Sequence, residues 1–540
     1  MKRPTAARFG AAAVTGALLA AARPPLDLGP LACVAFIPLF VAWRDQRART
    51  SAALAFTAAA VYYSLLMSWS WYFGTIAIVP LVIALGTYWA GAGAVLGWLR
   101  KRGIANPFLV AAVWVLAEAT VARVPLGGFS WGEVGFAFHD IGIGRALASD
   151  GGVELVTFFA VALNAFLADV IVAAGHRGTT SRASWARLGA GLTAVLVVPL
   201  VANGLRSAPH PTGTLRVAIL QGNDKNRDLT PAEIDSRYLP NSHFRLAGRV
   251  RDPVDLVIFP ESSMDADPRH DPYLRRHLVA VAKRTHAWVL ANAVADAPAR
   301  GDTPAGAKAL NLNVLFAPDG MVEGTYAKRH LVPFGEYVPF RAELQGWIHA
   351  LDQVPRDFEA GDRPGIFAIA GHEVATIICF ESAFGYQVRP LVHAGAQVLV
   401  VSTNNRSYER SANSAQHVAI GQLRAAETGR PVVQAAISGI SAIIDANGVV
   451  HQRTELFDRT VLEATVTATS GETPYVRYGE WIIWTSGVLL AGAVVLSIVR
   501  EGSWPRRRKR RAGFVDSPAP SDRRAESPAD RPAESPGEQA

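Results

Sequence analysis

The sequence predicts a multi-pass α-helical membrane bundle joined to an α/β domain. Half of the 540 residues are hydrophobic, and the long apolar segments lie towards the two ends of the chain. Between them, short β-rich segments alternate with segments of helical periodicity, which is typical of an α/β domain with buried sheets. A membrane part and a globular part are therefore expected, and the length favours more than one domain.

Eight apolar segments are candidate membrane spans, judged against the roughly 20 residues needed to cross a bilayer. They cover residues 9–22, 29–43, 51–72, 74–98, 107–123, 151–174, 188–204 and 481–499. The first two are short, and we expect a helical hairpin around Arg23. A basic start and three alanines before Arg23 also fit a cleavable signal peptide, which remains an alternative for the first segment.

The predicted domains follow from these segments. Residues 1–204 are expected to form a membrane domain of about seven transmembrane helices, and residues 205–480 a catalytic α/β domain. Residues 481–499 add a C-terminal transmembrane helix, and residues 500–540 a basic, disordered tail. Beyond residue 512 the tail is rich in Pro, Ser, Ala and charged residues, so it is expected to be disordered.

Basic residues are concentrated in every second connection between the predicted spans and at both ends of the chain. The clusters are Lys2 to Arg8, Arg44 to Arg49, Arg100 to Arg102, Arg177 to Arg187 and Arg500 to Arg511. The positive-inside rule then predicts that both termini are cytoplasmic and that residues 205–480 are extracytoplasmic. The net charge of +8 reflects this topology. A basic run directly after a span is explained by anionic lipid, so no nucleic-acid partner is expected.

The middle of the chain carries the signals of an α/β fold. The predicted strands cover residues 215–220, 254–259, 288–291, 312–316, 374–380 and 398–402, and the clearest helices cover residues 273–284 and 415–427. Pro318-Asp319-Gly320 and Asn447-Gly448 each separate two β-like segments and predict hairpin turns. About 270 residues are enough to bury a sizeable core.

Three chemically complementary residues follow predicted strands in this domain, namely Glu261, Lys328 and Cys379. Side chains just beyond strand ends are where sites assemble in α/β sheets. A carboxylate can accept the thiol proton, and an ammonium group can stabilise the thiolate and the oxyanion formed by its attack. Taken singly, each residue also has a structural explanation, since a lone cysteine often packs as a small hydrophobe. Cys33 and Cys379, the only two cysteines, provide no disulfide framework.

The residues around these positions resemble the Glu-Lys-Cys signature of the nitrilase, or carbon–nitrogen hydrolase, superfamily. The matching segments are residues 259–262, 326–339 and 378–381. The form Lys-x-x-Leu-Val-Pro-Phe-Gly-Glu that begins at Lys328, with membrane spans on both sides, resembles the apolipoprotein N-acyltransferase family. Residues 424–431 and 438–441 also fit that family, and the resemblance covers residues 1–500.

This resemblance implies an α/β/β/α sandwich with Cys379 as nucleophile, Glu261 as general base and Lys328 as oxyanion stabiliser. Glu336 and Glu381 are implied as supporting acidic residues, and we expect Glu381 to orient Lys328. The implied reaction is ping-pong. A fatty acyl chain passes from a membrane phospholipid to Cys379 as a thioester, and then to the N-terminal α-amino group of S-diacylglyceryl-cysteine in lipoproteins.

The same resemblance implies a multi-pass protein of the bacterial inner membrane that acts as a monomer with no cofactor or metal. The chain departs from the family pattern at residues 221–226, which lack a tryptophan found in some members. It also departs at residues 402–406, where Ser-Thr-Asn-Asn-Arg replaces a common Ser-Asn-Asp-Ala-Trp. We therefore assign no lipid-binding residues from the sequence.

Two other functions remain open at this stage. The triad also fits a membrane-anchored nitrilase-like amidase that acts on a small amide. Such an enzyme, however, does not need a bundle of eight membrane spans. A transporter or structural membrane protein with a large outer domain is the second alternative. Ionisable residues within spans mark transport pathways. Glu118, inside the fifth predicted span, is the clearest candidate here, and His139 and Asp140 lie in an outer loop.

Overall fold

The computed structural model describes residues 5–175, 180–204, 209–225, 229–251, 253–301, 303–344, 346, 351 and 354–511. Among these residues, seven helices precede the first strand and form, together with the last helix, the helical region. They are α1 (Thr5–Ala21), α2 (Ile37–Ala42), α3 (Ala48–Leu66), α4 (Thr75–Lys101), α5 (Pro107–Val121), α6 (Gly142–Gly175) and α7 (Arg182–Gly204). The last helix, α15, spans Trp481–Arg511.

Four helices in the described part of the chain are long and apolar enough to cross a membrane. They are Thr75–Lys101, Gly142–Gly175, Arg182–Val201 and Trp481–Arg500. Shorter apolar helices occupy Thr5–Ala21, Gly29–Ala42 and Pro107–Val121. The remaining predicted span, residues 51–72, forms α3 and a 3-10 turn over Ser68–Phe73. Each predicted span is thus helical for most of its length, but several are shorter than a full crossing.

The expected helix over residues 29–43 is broken. The structure has a 3-10 turn over Gly29–Cys33 and then the short helix α2. The interruption leaves backbone N–H groups without helical partners. These groups donate hydrogen bonds to side chains of other helices instead. Asn164 Oδ1 accepts the N–H of Phe36 at 2.9 Å, and Thr15 Oγ1 accepts that of Leu39 at 3.1 Å. Apolar composition alone predicted one continuous span. It cannot show that side chains from other helices replace the missing helical hydrogen bonds.

Helix α6 begins nine residues before the predicted span at residue 151 and is broken at Gly151 and Gly152. Gly152 has a φ of 77°, which favours glycine, and a Cβ there would lie 2.7 Å from the Tyr475 ring. The N–H of Val153, at the start of the second segment, donates to Glu427 Oε1 at 2.7 Å. A carboxylate from outside the helical region therefore caps this membrane helix.

In the part of the chain that the structure describes, twelve strands and the seven helices between α7 and α15 form the sandwich region. The strands are β1 (His210–Gln221), β2 (Leu256–Met264), β3 (Trp288–Asp296), β4 (Ala309–Phe316), β5 (Val322–Ala327), β6 (Ile366–Ile369), β7 (His372–Ile378), β8 (Val398–Thr403), β9 (Val432–Ala436), β10 (Ala442–Ile444), β11 (Val450–Arg453) and β12 (Thr460–Ser470). The helices are α8 (Pro231–Asp235), α9 (Tyr238–Ala247), α10 (Pro272–Thr285), α11 (Arg341–Leu344), α12 (Gly385–His393), α13 (Asn413–Thr428) and α14 (Pro474–Tyr478).

The strands form two six-stranded sheets, ordered β12-β1-β2-β3-β4-β5 and β11-β10-β9-β8-β7-β6. Apolar residues of both sheets, such as Ile258 and Val400, share one buried cluster, so the sheets face each other. Leu278 of α10 packs on the outer side of the first sheet, and Leu391 of α12 on that of the second. The predicted α/β/β/α sandwich beside a helical bundle is confirmed.

Each predicted strand and both predicted helices are present, with shifted ends. The antiparallel pairs β4–β5 and β10–β11 confirm the hairpins around Gly320 and Gly448. Strand β2 is longer than expected because its pairing with β3 is irregular between Phe259 and Met264, and the strand continues through this bulge. Glu261 therefore lies within the bulged half of β2, not after the strand as predicted.

Helix α13 joins the sandwich region to the helical region. All but one of its sixteen residues are buried. Its Ile420 and Leu423 belong to the apolar core of the helical region, as do Phe380 and Phe384 of the turn that follows β7. By packing, the residues up to Ala493 form one compact unit, and a second unit begins at Val494.

Helix α15 continues past the predicted end of the last span, residue 499, to Arg511. The basic stretch 500–511, which we expected to be part of a disordered tail, is therefore helical. The rest of that predicted tail, residues 512–540, lies outside the described residues.

Candidate active site

Cys379 lies one residue beyond β7, at the start of a 3-10 turn over Cys379–Ala383. Its φ is 52°, a left-handed value that residues other than glycine rarely adopt. The side chain is half-buried. Thr403 at the end of β8, the strand parallel to β7, donates its hydroxyl to Cys379 Sγ at 3.2 Å. Strained conformations of this kind cluster at functional sites, which agrees with the prediction of a reactive thiol.

Glu261 is buried, and both carboxylate oxygens accept a hydrogen bond. Oε1 accepts from Asn311 Nδ2 and Oε2 from the backbone N–H of Asn404, each at 2.7 Å. Asn404 is adjacent to Thr403, so the loop after β8 contacts both Glu261 and Cys379. These bonds hold the carboxylate in one orientation, and its charge acts on the thiol, whose pKa it helps to raise.

Lys328 follows β5 and is almost fully buried. Its Nζ lies 2.8 Å from Glu336 Oε1 and 3.6 Å from Glu261 Oε1. Its backbone N–H donates to the carbonyl of Asn311 at 2.9 Å. A buried ammonium group is stable only when paired, and here two carboxylates surround it.

The two supporting carboxylates have different surroundings. Glu336 pairs with Lys328, and its Oε2 accepts the N–H of Val332 at 2.8 Å. Glu381 accepts the Tyr326 hydroxyl at 2.8 Å and three backbone N–H groups, those of Ile378, Arg329 and His330, at 2.7 to 3.0 Å. We expected Glu381 to orient Lys328 directly. The structure differs, because Glu336 pairs with the ammonium group, while Glu381 binds the backbone of the two residues after Lys328 and the Tyr326 hydroxyl before it.

The electrostatics of the triad are those of a tightly coupled site. Burial, reinforced by Glu261, raises the pKa of the Cys379 thiol to about 12, although Lys328 opposes this shift. Burial also raises the pKa of Glu261, again against Lys328. For Lys328, burial disfavours the charge, but Glu336, Glu261 and Cys379 outweigh it and raise its pKa. At neutral pH the site therefore holds a charged lysine and a protonated thiol.

The turn that carries Cys379 packs against the loop between α5 and α6. Its Phe380 ring lies 5.7 Å from Phe129 and 6.3 Å from Trp131, centroid to centroid. Ser130 of that loop donates to the carbonyl of Ala383 at 2.6 Å. The candidate nucleophile is thus attached directly to the helical region.

Sequence reasoning missed several polar residues of the site. Asn292, Asn311 and Asn313 form a buried ladder on β3 and β4, in which Asn292 Nδ2 donates to both of the other side chains. Two asparagines at alternate positions of an otherwise apolar strand could have indicated this inward-facing polar row. His417, buried on α13, carried no such signal because its helix is buried on every side.

The residues considered for a transport pathway have structural partners. Glu118 accepts the N–H of Val134 at 3.0 Å and the hydroxyl of Thr157 at 2.8 Å. His139 lies 2.8 Å from Asp27 and 2.6 Å from Gln422. These contacts join loops and helices, and they provide a structural reason for each residue.

Two family models match consecutive parts of the chain. Residues 15–166 match the apolipoprotein N-acyltransferase N-terminal domain, and residues 216–475 match the carbon–nitrogen hydrolase domain. The candidate triad lies within the second match.

Curated bacterial proteins are similar over most of the chain. Apolipoprotein N-acyltransferases of Azotobacter vinelandii and Nitrosomonas europaea are each 30% identical over 90% of this chain, covering 94% and 97% of their own lengths. That of Geobacter metallireducens is 29% identical over 90% of this chain and 94% of its own. Among solved structures, a nitrilase-superfamily protein of Saccharomyces cerevisiae matches 48% of this chain and 92% of its own, at 14% identity and a TM-score of 0.37.

Proposed function

Since this chain belongs to the apolipoprotein N-acyltransferase family, we propose that it moves a fatty acyl chain from a membrane phospholipid to lipoproteins through Cys379. It is an acyltransferase of a bacterial membrane. The acceptor is the N-terminal α-amino group of S-diacylglyceryl-cysteine. Cys379, Glu261 and Lys328 act as nucleophile, general base and oxyanion stabiliser, and Glu336 and Glu381 support them.

One observation supports this proposal most strongly. The turn that begins at Cys379 contributes Phe380 and Phe384 to the apolar core of the helical region. Both proposed substrates are embedded in lipid, so their reacting groups reach the protein at the membrane surface. A thiol attached to the helical region is suited to such substrates, whereas a small soluble amide does not require this arrangement.

In the first step, Glu261 accepts the proton of Cys379 while the sulfur attacks the ester carbonyl carbon of the phospholipid. The negative charge that develops on the carbonyl oxygen is stabilised by Lys328. The ester C–O bond then breaks, and Glu261 returns the proton to the departing alcohol oxygen. A lysophospholipid leaves, and the acyl chain remains as a thioester on Cys379.

In the second step, the α-amino group of the lipoprotein attacks the thioester carbonyl and loses a proton to Glu261. The C–S bond breaks, an amide forms, and the proton returns to the sulfur. Because a thioester is activated towards amines, this step is expected to be downhill. The free thiol is regenerated for the next cycle.

The proposed topology brings this chemistry to the outer leaflet. Residues 1–204 form the N-terminal membrane domain, residues 205–480 the extracytoplasmic catalytic domain, and residues 481–499 the C-terminal span. Both termini are cytoplasmic. The basic clusters that flank alternate connections support this arrangement.

An acyl-transfer assay in detergent micelles tests the function. Purified protein is incubated with phospholipid and a diacylglyceryl-cysteine peptide, and mass spectrometry follows the gain of one acyl chain on the peptide. We expect transfer by the wild-type chain, and loss of at least about 100-fold in Cys379→Ala and Cys379→Ser. Full transfer by Cys379→Ala, or ammonia release from small amides without any transfer, would contradict the proposal.

A further inference from the structure

The hydroxyl of Thr403 lies among more acceptors than it can serve at once. Its Oγ1 is 3.2 Å from Cys379 Sγ, 3.0 Å from Asn405 Oδ1 and 3.3 Å from His417 Nδ1. Thr403, Asn405 and His417 are all buried. A threonine hydroxyl carries one proton, so it can donate to only one of these atoms at a time.

The surrounding hydrogen bonds fix these neighbours. Asn405 Nδ2 donates to Asn413 Oδ1 at 2.7 Å and faces His417 Nδ1 at 3.4 Å. This leaves Asn405 Oδ1 as the acceptor that faces Thr403. The hydroxyl of Ser382 donates to the carbonyl of Cys379 at 2.9 Å, so its oxygen can accept from His417 Nε2 at 2.8 Å. A proton on His417 Nε2 satisfies this contact and makes Nδ1 an acceptor.

In this arrangement, the acceptor that Thr403 serves depends on the charge of the sulfur. While Cys379 is a thiol, the carbonyl oxygen of Asn405 is the better acceptor, because a neutral thiol accepts hydrogen bonds weakly. When the sulfur becomes a thiolate, a hydrogen bond to it is charge-assisted and stronger. A rotation of the Thr403 hydroxyl about its C–O bond redirects the O–H from Asn405 to the sulfur without moving the backbone.

We propose that Thr403 is a further catalytic residue, whose hydroxyl turns from Asn405 to Cys379 whenever negative charge resides on the sulfur. Asn405, His417 and Ser382 are positioning residues that hold this hydroxyl and the Cys379 carbonyl in place. The inference deepens the proposed function and rests on it for the two acyl-transfer steps. The hydroxyl proton never leaves Thr403, so the proton transfers of both steps are unchanged.

The hydroxyl would act twice in each cycle. It stabilises the sulfur as Glu261 removes the thiol proton and the sulfur attacks the phospholipid ester. It stabilises the same atom again when the C–S bond breaks and the sulfur departs with the electron pair. Lys328 is held by Glu261 and Glu336, and its charge lowers the pKa of the thiol against the effect of burial. The Thr403 hydroxyl adds a hydrogen-bond donor at the sulfur itself.

Alkylation of Cys379 by iodoacetamide tests this without any lipid substrate. The rate is measured at pH 8 by mass spectrometry of the Cys379 peptide in Thr403→Val, Thr403→Ala and Thr403→Ser. Valine keeps the shape but lacks the hydroxyl, alanine leaves room, and serine keeps the hydroxyl. We expect both hydroxyl-free variants to react roughly 10- to 100-fold more slowly than the wild type, and serine to restore most of the rate. The thermal unfolding midpoint of each variant checks that it is folded.

Formation of the acyl adduct on Cys379 from phospholipid should slow by the same factor in the valine and alanine variants. Wild-type alkylation rates in folded Thr403→Val or Thr403→Ala would overturn the role of the hydroxyl. A serine variant as slow as alanine would also overturn it. If alkylation responds as expected but the wild-type chain transfers no acyl group, the proposed function fails while the thiolate donor stands.

Discussion

At the scale of single residues, the central feature is a thiol that is neutral at rest. Burial and Glu261 raise the pKa of Cys379 to about 12 despite Lys328. A free thiolate is therefore rare at neutral pH, and the proton must leave as the sulfur attacks. Glu261, fixed by Asn311 and Asn404, is placed to accept it.

The protonation of Glu261 should set the acid limb of thioester formation. Its carboxylate must be deprotonated to act as base, and burial raises its pKa above the usual 4.5. Lowering the pH through this raised pKa protonates the base, so activity is lost below it and recovered above it. We expect the midpoint of the acid limb, measured by single-turnover adduct formation, to lie above pH 4.5.

Glu261→Gln provides the matched control for this limb. The amide keeps the size of the side chain but cannot accept the proton. The glutamine NH2 group would also face either Asn311 Nδ2 or the Asn404 N–H. Both of these groups are donors, so one hydrogen bond would be lost. We expect adduct formation to fall at every pH and the acid limb to disappear. An acid limb with a midpoint at or below 4.5, or one retained in Glu261→Gln, would refute the assignment.

The principal residues of this site could be predicted from the sequence, but the hydrogen bonds and ion pairs among them could not. Glu261, Lys328 and Cys379 could be predicted because their chemistry and flanking motifs are local in the chain. The pairing of Lys328 with Glu336, and the backbone bonds of Glu381, depend on how the loops after β5 and β7 fold over each other. Thr403 was visible only as a departure from a familiar motif, because its contact with the sulfur requires β7 and β8 to be parallel neighbours.

At the scale of elements, α13 is the most connected helix of the sandwich region. Both the oxygen and the nitrogen of the Gln416 side-chain amide form hydrogen bonds. Oε1 accepts the indole N–H groups of Trp131 at 2.8 Å and Trp69 at 3.1 Å, and Nε2 donates to the carbonyls of Pro24 and Leu66, each at 3.1 Å. The next residue, His417, belongs to the network around Cys379. One turn of α13 therefore links the helical region to the candidate site.

Replacing Gln416 should weaken this link. Gln416→Leu removes four buried hydrogen bonds and leaves two indoles and two carbonyls without these partners. At about 1 kcal/mol per bond, we expect a loss of at least about 3 kcal/mol of stability. Differential scanning fluorimetry in detergent should show a lower unfolding midpoint, whereas Gln452→Leu at an exposed position of β11 should leave it almost unchanged. Equal midpoints for the two variants would contradict this role of α13.

Helices and strands with a clear apolar pattern were predicted from the sequence. Elements that depend on contacts with distant parts of the chain were not. Strand β9 is five residues long, so its apolar run could equally be helical. Strand β12 is an edge strand that pairs only with β1, and most of its residues stay partly exposed, which weakens the apolar signal. In the helical region, the break over residues 34–36 depends on Asn164, 128 residues away from Phe36 in sequence.

At the scale of the whole molecule, the helical and sandwich regions share an apolar core. Ile420 and Leu423 of α13 lie in the same cluster as residues of α1 to α6. Glu427 caps the second segment of α6, and the indole of Trp481 donates to the carbonyl of Asp150 at 2.9 Å. The sandwich region is thus packed directly onto the helical region.

Labelling of introduced cysteines tests the proposed topology. In a background of Cys33→Ser and Cys379→Ser, we expect Asp319→Cys to react with a membrane-impermeant maleimide in spheroplasts. Lys101→Cys, in a predicted cytoplasmic connection, should react only after permeabilisation. Both positions are exposed, so the difference reports the side of the membrane. The opposite pattern would invert the topology and remove the catalytic domain from the outer leaflet.

The central claim is that Cys379 carries an acyl chain, and mass spectrometry of the protein after incubation with phospholipid alone tests it most directly. We predict a mass increase of one fatty acyl group on the Cys379 peptide, released by neutral hydroxylamine as expected for a thioester. The adduct should be absent from Cys379→Ala and should disappear when a diacylglyceryl-cysteine peptide is added. An adduct on another residue, or acyl transfer to the peptide by Cys379→Ala, would contradict the account.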